Sequence, residues 1–282
     1  MKRFIAFICI GMNLCLVNGC YFSRLIPREL KKNKAALCAP TSSYKDLISL
    51  PKPKGKIVAA VYNFRDQTGQ YKMYQDNVST FSSVVTQGAT SMLIKALDES
   101  GWFIPVEREG LPDLINERKL IHSFSKDNLS SSSIPSLLCA NILFEGGIIA
   151  YETNYFTGGI GARYLGIGAS GQVRQDQVTI YLRAVSVIDG RILKSVSVTK
   201  SIFSKSLDLN VYKYVSFKKL LEAETGYSTN EPPQMCVLAA IEKAVTSLII
   251  EGILDNLWSL ENPLDSQCPL IQEYQKEKRD LA

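Results

Sequence analysis

Apolar and polar positions follow two rhythms along this chain, and each rhythm marks an element. Ile57 to Phe64 is a continuous apolar run ending at the turn signature Asp66-Gln67-Thr68-Gly69, which predicts a buried strand. Between Gln87 and Ser100, Met92, Leu93, Ala96 and Leu97 recur at helical spacing, with Gly101 as a stop. Trp102 to Val106 predicts a short strand, and Pro112 suits the first turn of a helix running through Leu120. Ser130 to Ser133 marks a loop, and Asn141 to Tyr151 is apolar and β-prone. Gln177 to Val187 alternates strictly: Val178, Ile180, Leu182 and Ala184 share one face, against Gln177, Thr179, Tyr181 and Arg183. Asp189-Gly190 then signals a hairpin turn. Pro232 to Trp258 predicts a long helix with Val237, Leu238, Ile241, Val245, Leu248, Ile249 and Ile253 as its apolar stripe. Its acidic residues argue against a membrane-spanning helix. Strands and helices mixed in this order predict an α/β domain.

Two segments break the pattern of a compact domain. Thr153 to Gln175 holds Gly158, Gly159, Gly161, Gly166, Gly168 and Gly171, interleaved with Tyr155, Phe156 and Tyr164. Ser195 to Lys219 alternates Ser, Thr and Lys with Val, Ile and Phe around a tip near Asp208 and Asn210. Each is long enough for two strands of about 10 residues, the length that crosses a bilayer. Glycine, aromatics and alternating polarity are the marks of transmembrane β-strands, with surface hairpins as the alternative. As membrane strands, they would need Lys200, Lys205 and Lys213 to face a watery lumen or an interface. A third segment, Tyr71 to Thr86, is rich in Ser, Gln, Asn and Thr and has no helical stripe. It reads as a long loop, and loops of this length inside a domain are commonly functional.

The N-terminus changes the picture. Lys2 and Arg3 precede a mostly apolar stretch from Phe4 to Val17, and Gly19 stands before Cys20. This is the build of a bacterial export signal closed by a lipoprotein cysteine. The apolar run is shorter than the about 20 residues a spanning helix needs. The reading is cleavage after Gly19, lipidation at Cys20 and a membrane tether outside the cytoplasm. Tyr21, where inner-membrane retention would call for Asp, points to the outer membrane.

Composition then excludes several classes. The formal charge is +5, and loss of Lys2 and Arg3 with the signal leaves 5 − 2 = +3, too little for a nucleic-acid stripe. Of seven cysteines, Cys9 and Cys15 leave with the signal and Cys20 is acylated. Cys38, Cys139, Cys236 and Cys268 lack the close spacing of a zinc site or a dense disulfide frame, which leaves a single bridge undecided. Cys236 opens an apolar helical face and reads as a buried thiol. His122 is the only histidine, so neither a His-Asp-Ser triad nor a multi-histidine metal centre has its parts. Gly166-Ile-Gly168-Ala-Ser-Gly171 matches a dinucleotide fingerprint literally, but a strand and not a helix is expected after it. No catalytic set, metal, nucleotide or other cofactor is expected.

Several stretches, taken in order, point further: Ser43-Tyr-Lys-Asp-Leu47, Val61-Tyr-Asn63 with Thr68-Gly-Gln70, Trp102-Phe-Ile-Pro105 with Glu107-Arg108, and Asn116-Glu-Arg-Lys119. The long run from Gly158 to Ala169 follows, then Gly226-Tyr227 and Asn230-Glu-Pro232. The ordered set, from about Tyr44 to Leu260, resembles the CsgG family of curli production assembly/transport components, which are outer-membrane secretion channels. The family's lipidated cysteine falls on Cys20.

The resemblance implies an α/β periplasmic domain with two transmembrane β-hairpins per subunit that join a shared oligomeric β-barrel. A ring of about nine subunits gives about 36 strands, at the top of the range for such barrels. Residues 1–19 are then the signal peptide and 20–53 a lipidated tether. Residues 54–262 form the periplasmic domain, with a constriction loop at 71–86 and hairpins inserted at 153–175 and 195–219; 263–282 is a C-terminal tail. The family's constriction Tyr matches Tyr74 and its Phe matches Phe81. Its Asn aligns with Thr80, with Asn77 as the alternative. The implied partners are other copies of the chain, secreted curli subunits, a periplasmic cap protein, a surface nucleator and the bilayer. A lipid-anchored periplasmic scaffold without a pore is the rival reading.

Overall fold

The computed structural model describes residues 40–70, 85–126, 134–157, 172–207, 211–215 and 232–281. Six strands form one mixed sheet: β1 (Ile57–Asp66), β2 (Phe103–Val106), β3 (Ile142–Thr157), β4 (Gln172–Ser186), β5 (Ile192–Leu207) and β6 (Val211–Val215). Their spatial order is β2-β1-β3-β4-β5-β6. β1 lies parallel to both β2 and β3, and every later pair is antiparallel. The helices are α1 (Tyr44–Ile48), α2 (Ala89–Glu99), α3 (Leu111–Lys126), α4 (Pro232–Leu254) and α5 (Pro269–Asp280), with a 3-10 turn at Pro263–Gln267. The predicted α/β domain is therefore present. No described helix is long and apolar enough to cross a membrane.

The core lies between the sheet and α2 with α4. Val178, Ile180, Leu182 and Ala184 are all buried, as the alternation of β4 predicts. Phe64, Phe144 and Ile148 bury the same sheet face, and Phe103 meets Phe144 edge-on at 5.0 Å between ring centroids. The predicted stripe of α4 is buried except for Leu238, which is half-buried, and the rest of the helix is nearly as enclosed. Glu242, Thr246, Ser247 and Glu251 are buried with it, and most of these polar groups find partners. Thr41 donates to Glu242, Thr246 donates to the Glu242 carbonyl at 2.9 Å, and Glu251 accepts from Lys194 and Lys278 at 2.9 and 2.5 Å and from the Tyr274 hydroxyl at 2.9 Å. Burial alone would raise the Glu251 carboxyl. The hydrogen bonds from Lys278, Lys194 and Tyr274 outweigh it and hold the pKa down at about 2.

Four boundaries differ from the sequence expectation. The helix predicted to Trp258 stops at Leu254, because Asn256 takes a left-handed turn (φ 55°) and the Leu257 amide donates back to the Gly252 carbonyl at 2.9 Å. Trp258 then folds onto Gly252, where a β-carbon would lie 1.9 Å from the indole, and donates Nε1–H to the Ile249 carbonyl at 2.9 Å. The tether expected over residues 20–53 gives way to folded chain by Pro40. Leu47 of α1 is fully buried, Pro53 bridges Leu260, and the Trp102 indole donates to the Pro51 carbonyl. The stretch expected as a tail is largely helix: Ile271 of α5 is buried, and Tyr274 and Lys278 reach Glu251. The helix expected through Leu120, with Pro112 in its first turn, runs on to Lys126.

Candidate functional site

The informative region is the end of the sheet where β3 to β6 continue after β1 has stopped. β1 runs out at Asp66, opposite Ile148, whereas β3 continues to Thr157. After a register shift between Ile148 and Ala150, β3 and β4 stay paired through Thr157 and Gln172, β4 and β5 through Val173 and Lys205, and β5 and β6 from Phe203 to Leu207. The first odd segment of the sequence is thus the prolongation of β3 and β4, and the second is the outer part of β5 with the short strand β6. The second begins later than Ser195 suggests. Val196 and Ile202 are buried on the face that α4 covers, so Ser195 to Ile202 belongs to the domain. Alternation alone reads the same for a strand packed under a helix and a strand in lipid. Lys200, expected at a lumen or interface, donates to Ser42 Oγ at 3.0 Å within the domain.

A polar knot marks the root of this ribbon. Asp176 on β4 is fully buried and accepts from the Tyr151 hydroxyl at 2.7 Å and from Thr153 Oγ1 at 2.8 Å, both on β3. Cys236, in the first turns of α4, donates its thiol toward the Lys200 carbonyl at 3.1 Å and lies 3.7 Å from that of Asp176. Burial, with the nearby Asp176 charge, pushes the thiol pKa up to about 12, which makes it a packing group and not a nucleophile. The sequence analysis missed Asp176. Its signal was there, since it falls two residues before Val178 on the buried face of an alternating strand.

The loop expected to form a constriction is held at both ends beside this root. Asp66 Oδ1 accepts from the Thr68 amide at 2.9 Å and hydroxyl at 2.7 Å, an Asx turn completed by Gly69 at φ 65°. The Gln67 amide donates to the Ile148 carbonyl, and Gln70 Nε2 to the Tyr151 carbonyl, both at 2.9 Å. On the return, Val85 is buried, and Thr90 Oγ1 both accepts from the Phe64 amide and donates to the Phe64 carbonyl, clamping α2 to β1. Tyr74, Asn77, Thr80 and Phe81 lie outside the described residues, as does Cys20.

No group of His, Cys, Asp and Glu among the described residues could hold a metal ion, and His122 is exposed on α3. Gln172, directly after the glycine motif, opens a strand, which is the wrong context for a dinucleotide. Cys139, Cys236 and Cys268 are free thiols, while Cys38 lies outside the described residues. The arrangement anchors: the ribbon and both ends of the chain flanking residues 71–84 are tied to the same end of the sheet.

A family model described as curli production assembly/transport component CsgG matches residues 40–278. The chain belongs to the CsgG family. A CsgG of Citrobacter koseri is 44% identical over 265 residues, covering 93% of this chain and 94% of that protein. The CsgG of Escherichia coli K12 is 44% identical over 263 residues, covering 92% and 93%. The family's name is that of a transport component and not of an enzyme. Among solved structures, XCC0632 from Xanthomonas campestris aligns with a TM-score of 0.33 and 13% identity, over 74% of this chain and 94% of that one, too distant to carry an argument. Several CsgG-like motif residues do structural work. Trp102 is fully buried, Arg108 donates to the Leu138 carbonyl at 2.8 Å, and Arg118 donates to that of Pro135.

Proposed function

We propose that this CsgG-family chain is one subunit of an outer-membrane secretion channel that exports unfolded curli-type amyloid subunits from periplasm to cell surface without nucleotide hydrolysis. The observation that carries the reading is the shape of the ribbon. From the level of Asn154, Gln175 and Phe203 outward it is four strands wide, with β3 and β6 as its margins running in opposite directions. Four strands cannot close on themselves, and open edges are not tolerated in lipid. A second copy's β6 laid beside β3 is antiparallel, as an up-and-down barrel requires. Repetition around a ring of about nine copies closes the barrel with no edge left.

Under this reading Cys20 carries acyl chains, residues 20–39 tether the domain, and residues 71–84, held at the ribbon root, project Tyr74 and Phe81 into the lumen with Thr80 or Asn77 beside them. A collar of Phe81 rings resists wetting and admits only extended polypeptide. Concentration and chain entropy drive transport, and a periplasmic cap protein and a surface nucleator work at the two mouths. The test is single-channel recording in a planar bilayer. Purified protein should give discrete conductance steps from detergent-resistant rings, and deletion of residues 204–214 should abolish both. Rings without conductance would refute the channel and favour the scaffold, and conductance in the deletion would refute the ribbon as the wall of the pore.

A further inference from the structure

Resting on that channel reading, we propose that Lys52, Lys54 and Lys56 form a basic row at the periplasmic mouth, and that the row captures carboxylate-bearing segments of the unfolded polypeptide to be exported. The stretch reads Pro51-Lys-Pro-Lys-Gly-Lys56. It is fixed to the domain at three points. The Trp102 indole donates to the Pro51 carbonyl, the Glu261 amide to the Lys52 carbonyl, and the Lys54 amide to the Ser259 carbonyl, each at 2.9 Å. Pro53, which has no amide to give, bridges Leu260 between the last two bonds. Exposure alternates here: Pro51 and Pro53 are half-buried, Lys52 and Lys54 are exposed, and Lys56 follows, also exposed. Each proline also holds the residue before it extended. The lysines therefore stand on backbone that is ordered before a partner arrives.

The row lies at the end of the sheet away from the ribbon. It leads directly into Ile57, the first residue of β1, and β1 runs toward the ribbon root beside β3. The 10 residues of β1 set it about 30 Å from that root. A bilayer surface charge is screened within about 8 Å and does not reach it. Its charge is not neutralised within the domain. Among the described residues none of the three lysines forms an ion pair, whereas Lys194, Lys243 and Lys278 meet carboxylates at 2.9, 2.6 and 2.5 Å. The short ladder carries one carboxylate, Glu261, against the three lysines, a net charge of +2. Repetition around a ring gathers this charge at one mouth, and a mouth of one sign speeds entry of the other by about 10- to 1000-fold. Two further residues favour a polypeptide. Val187 and Ile188 stand exposed at the same end, where the Val187 amide donates to the Asn141 carbonyl and the Asn141 amide to that of Val58. An unfolded chain offers carboxylates and apolar side chains together, and carboxylates at alternate positions repeat at about 7 Å, the spacing of Lys52 and Lys54.

The experiment uses the full lipidated chain in a planar bilayer at about 0.1 M salt. An unstructured peptide of alternating Glu and Ser is added on the periplasmic side, and blockades are counted per open channel. The chain carrying Lys52→Gln, Lys54→Gln and Lys56→Gln together should capture it about tenfold less often. A peptide of alternating Lys and Ser, driven at the opposite voltage, should be captured at least as often by this variant as by the natural chain. Raising the salt to about 1 M should remove the difference between the chains. Equal capture of the Glu-Ser peptide by both chains would overturn the proposal while leaving the channel standing. A fall for both peptides, or a difference that survives about 1 M salt, would also overturn it, because charge would not be the cause. A natural chain that gives no conductance steps would remove the channel reading and with it the mouth. Fluorescence anisotropy of a labelled Glu-Ser peptide with the purified chain then decides the row by itself. Binding about tenfold weaker in the variant would support it, and equal binding would overturn it.

Discussion

Replacing Glu251 with Gln tests how the C-terminal helix is held. Glu251 is only 5% exposed and sits where α4, β5 and α5 meet, ringed by Lys194, Lys278 and Tyr274. Its pKa is about 2, against 4.5 for the free group. That depression corresponds to at most about 3.4 kcal/mol of stability carried by the ionised form. Lys278 is 60% exposed, so solvent screens its share down to that of a surface pair. The expected loss in Glu251→Gln is therefore about 2 kcal/mol near neutral pH. The depressed carboxyl contributes fully above pH 4.5, and the contribution disappears as pH falls toward 2, where the folded form takes up its proton. Urea unfolding at a series of pH values measures this. Trp102 and Trp258, the two tryptophans, supply the signal, and Trp258 packs on Gly252, one residue from Glu251. The gap between the natural chain and the variant should be widest at about pH 7 and close toward about pH 2. A gap below about 0.5 kcal/mol at neutral pH, or one that does not change with pH, would refute the reasoning.

Four further outcomes are expected. Gly252→Ala forces a methyl into the Trp258 ring, so stability should drop by about 1–3 kcal/mol with a shift in tryptophan emission, and an unshifted spectrum would mean the ring is elsewhere. A maleimide at mildly alkaline pH should label exposed Cys139 rapidly and leave Cys236 intact until the domain unfolds, and fast labelling of Cys236 would contradict its burial. Phe81→Ala and Tyr74→Ala should each raise single-channel conductance, and unchanged conductance with lower assembled yield would place Phe81 in a core instead. Intact mass of the membrane-extracted protein should begin at Cys20 and carry acyl chains, and an unmodified start elsewhere would exclude the anchor.

The sequence by itself determined the types of the elements between Ile57 and Leu254, the buried parity of β4 and the family, because strand alternation, helical spacing and ordered motifs are local signals that survive without coordinates, whereas α1 and α5 read as tether and tail. It also marked the two odd segments as paired strands. It did not determine where those strands stop being domain and start being ribbon. Alternation from Ser195 to Ile202 is the same whether α4 or lipid covers one face, and only the packing of Val196 and Ile202 decides. Nor did it show that Asp176, Tyr151 and Thr153 meet, since the partners lie 23 and 25 residues from the carboxylate and depend on strand register. The early stop of α4 follows from Trp258 folding back onto a glycine, a contact that helical periodicity does not encode. Lys194, Glu251 and Lys278 come from three elements far apart in the chain, and their shared site exists only once β5, α4 and α5 have packed. Local pattern fixes what each segment can be. Burial and charge pairing, which depend on distant neighbours, fix where each segment ends and what it holds.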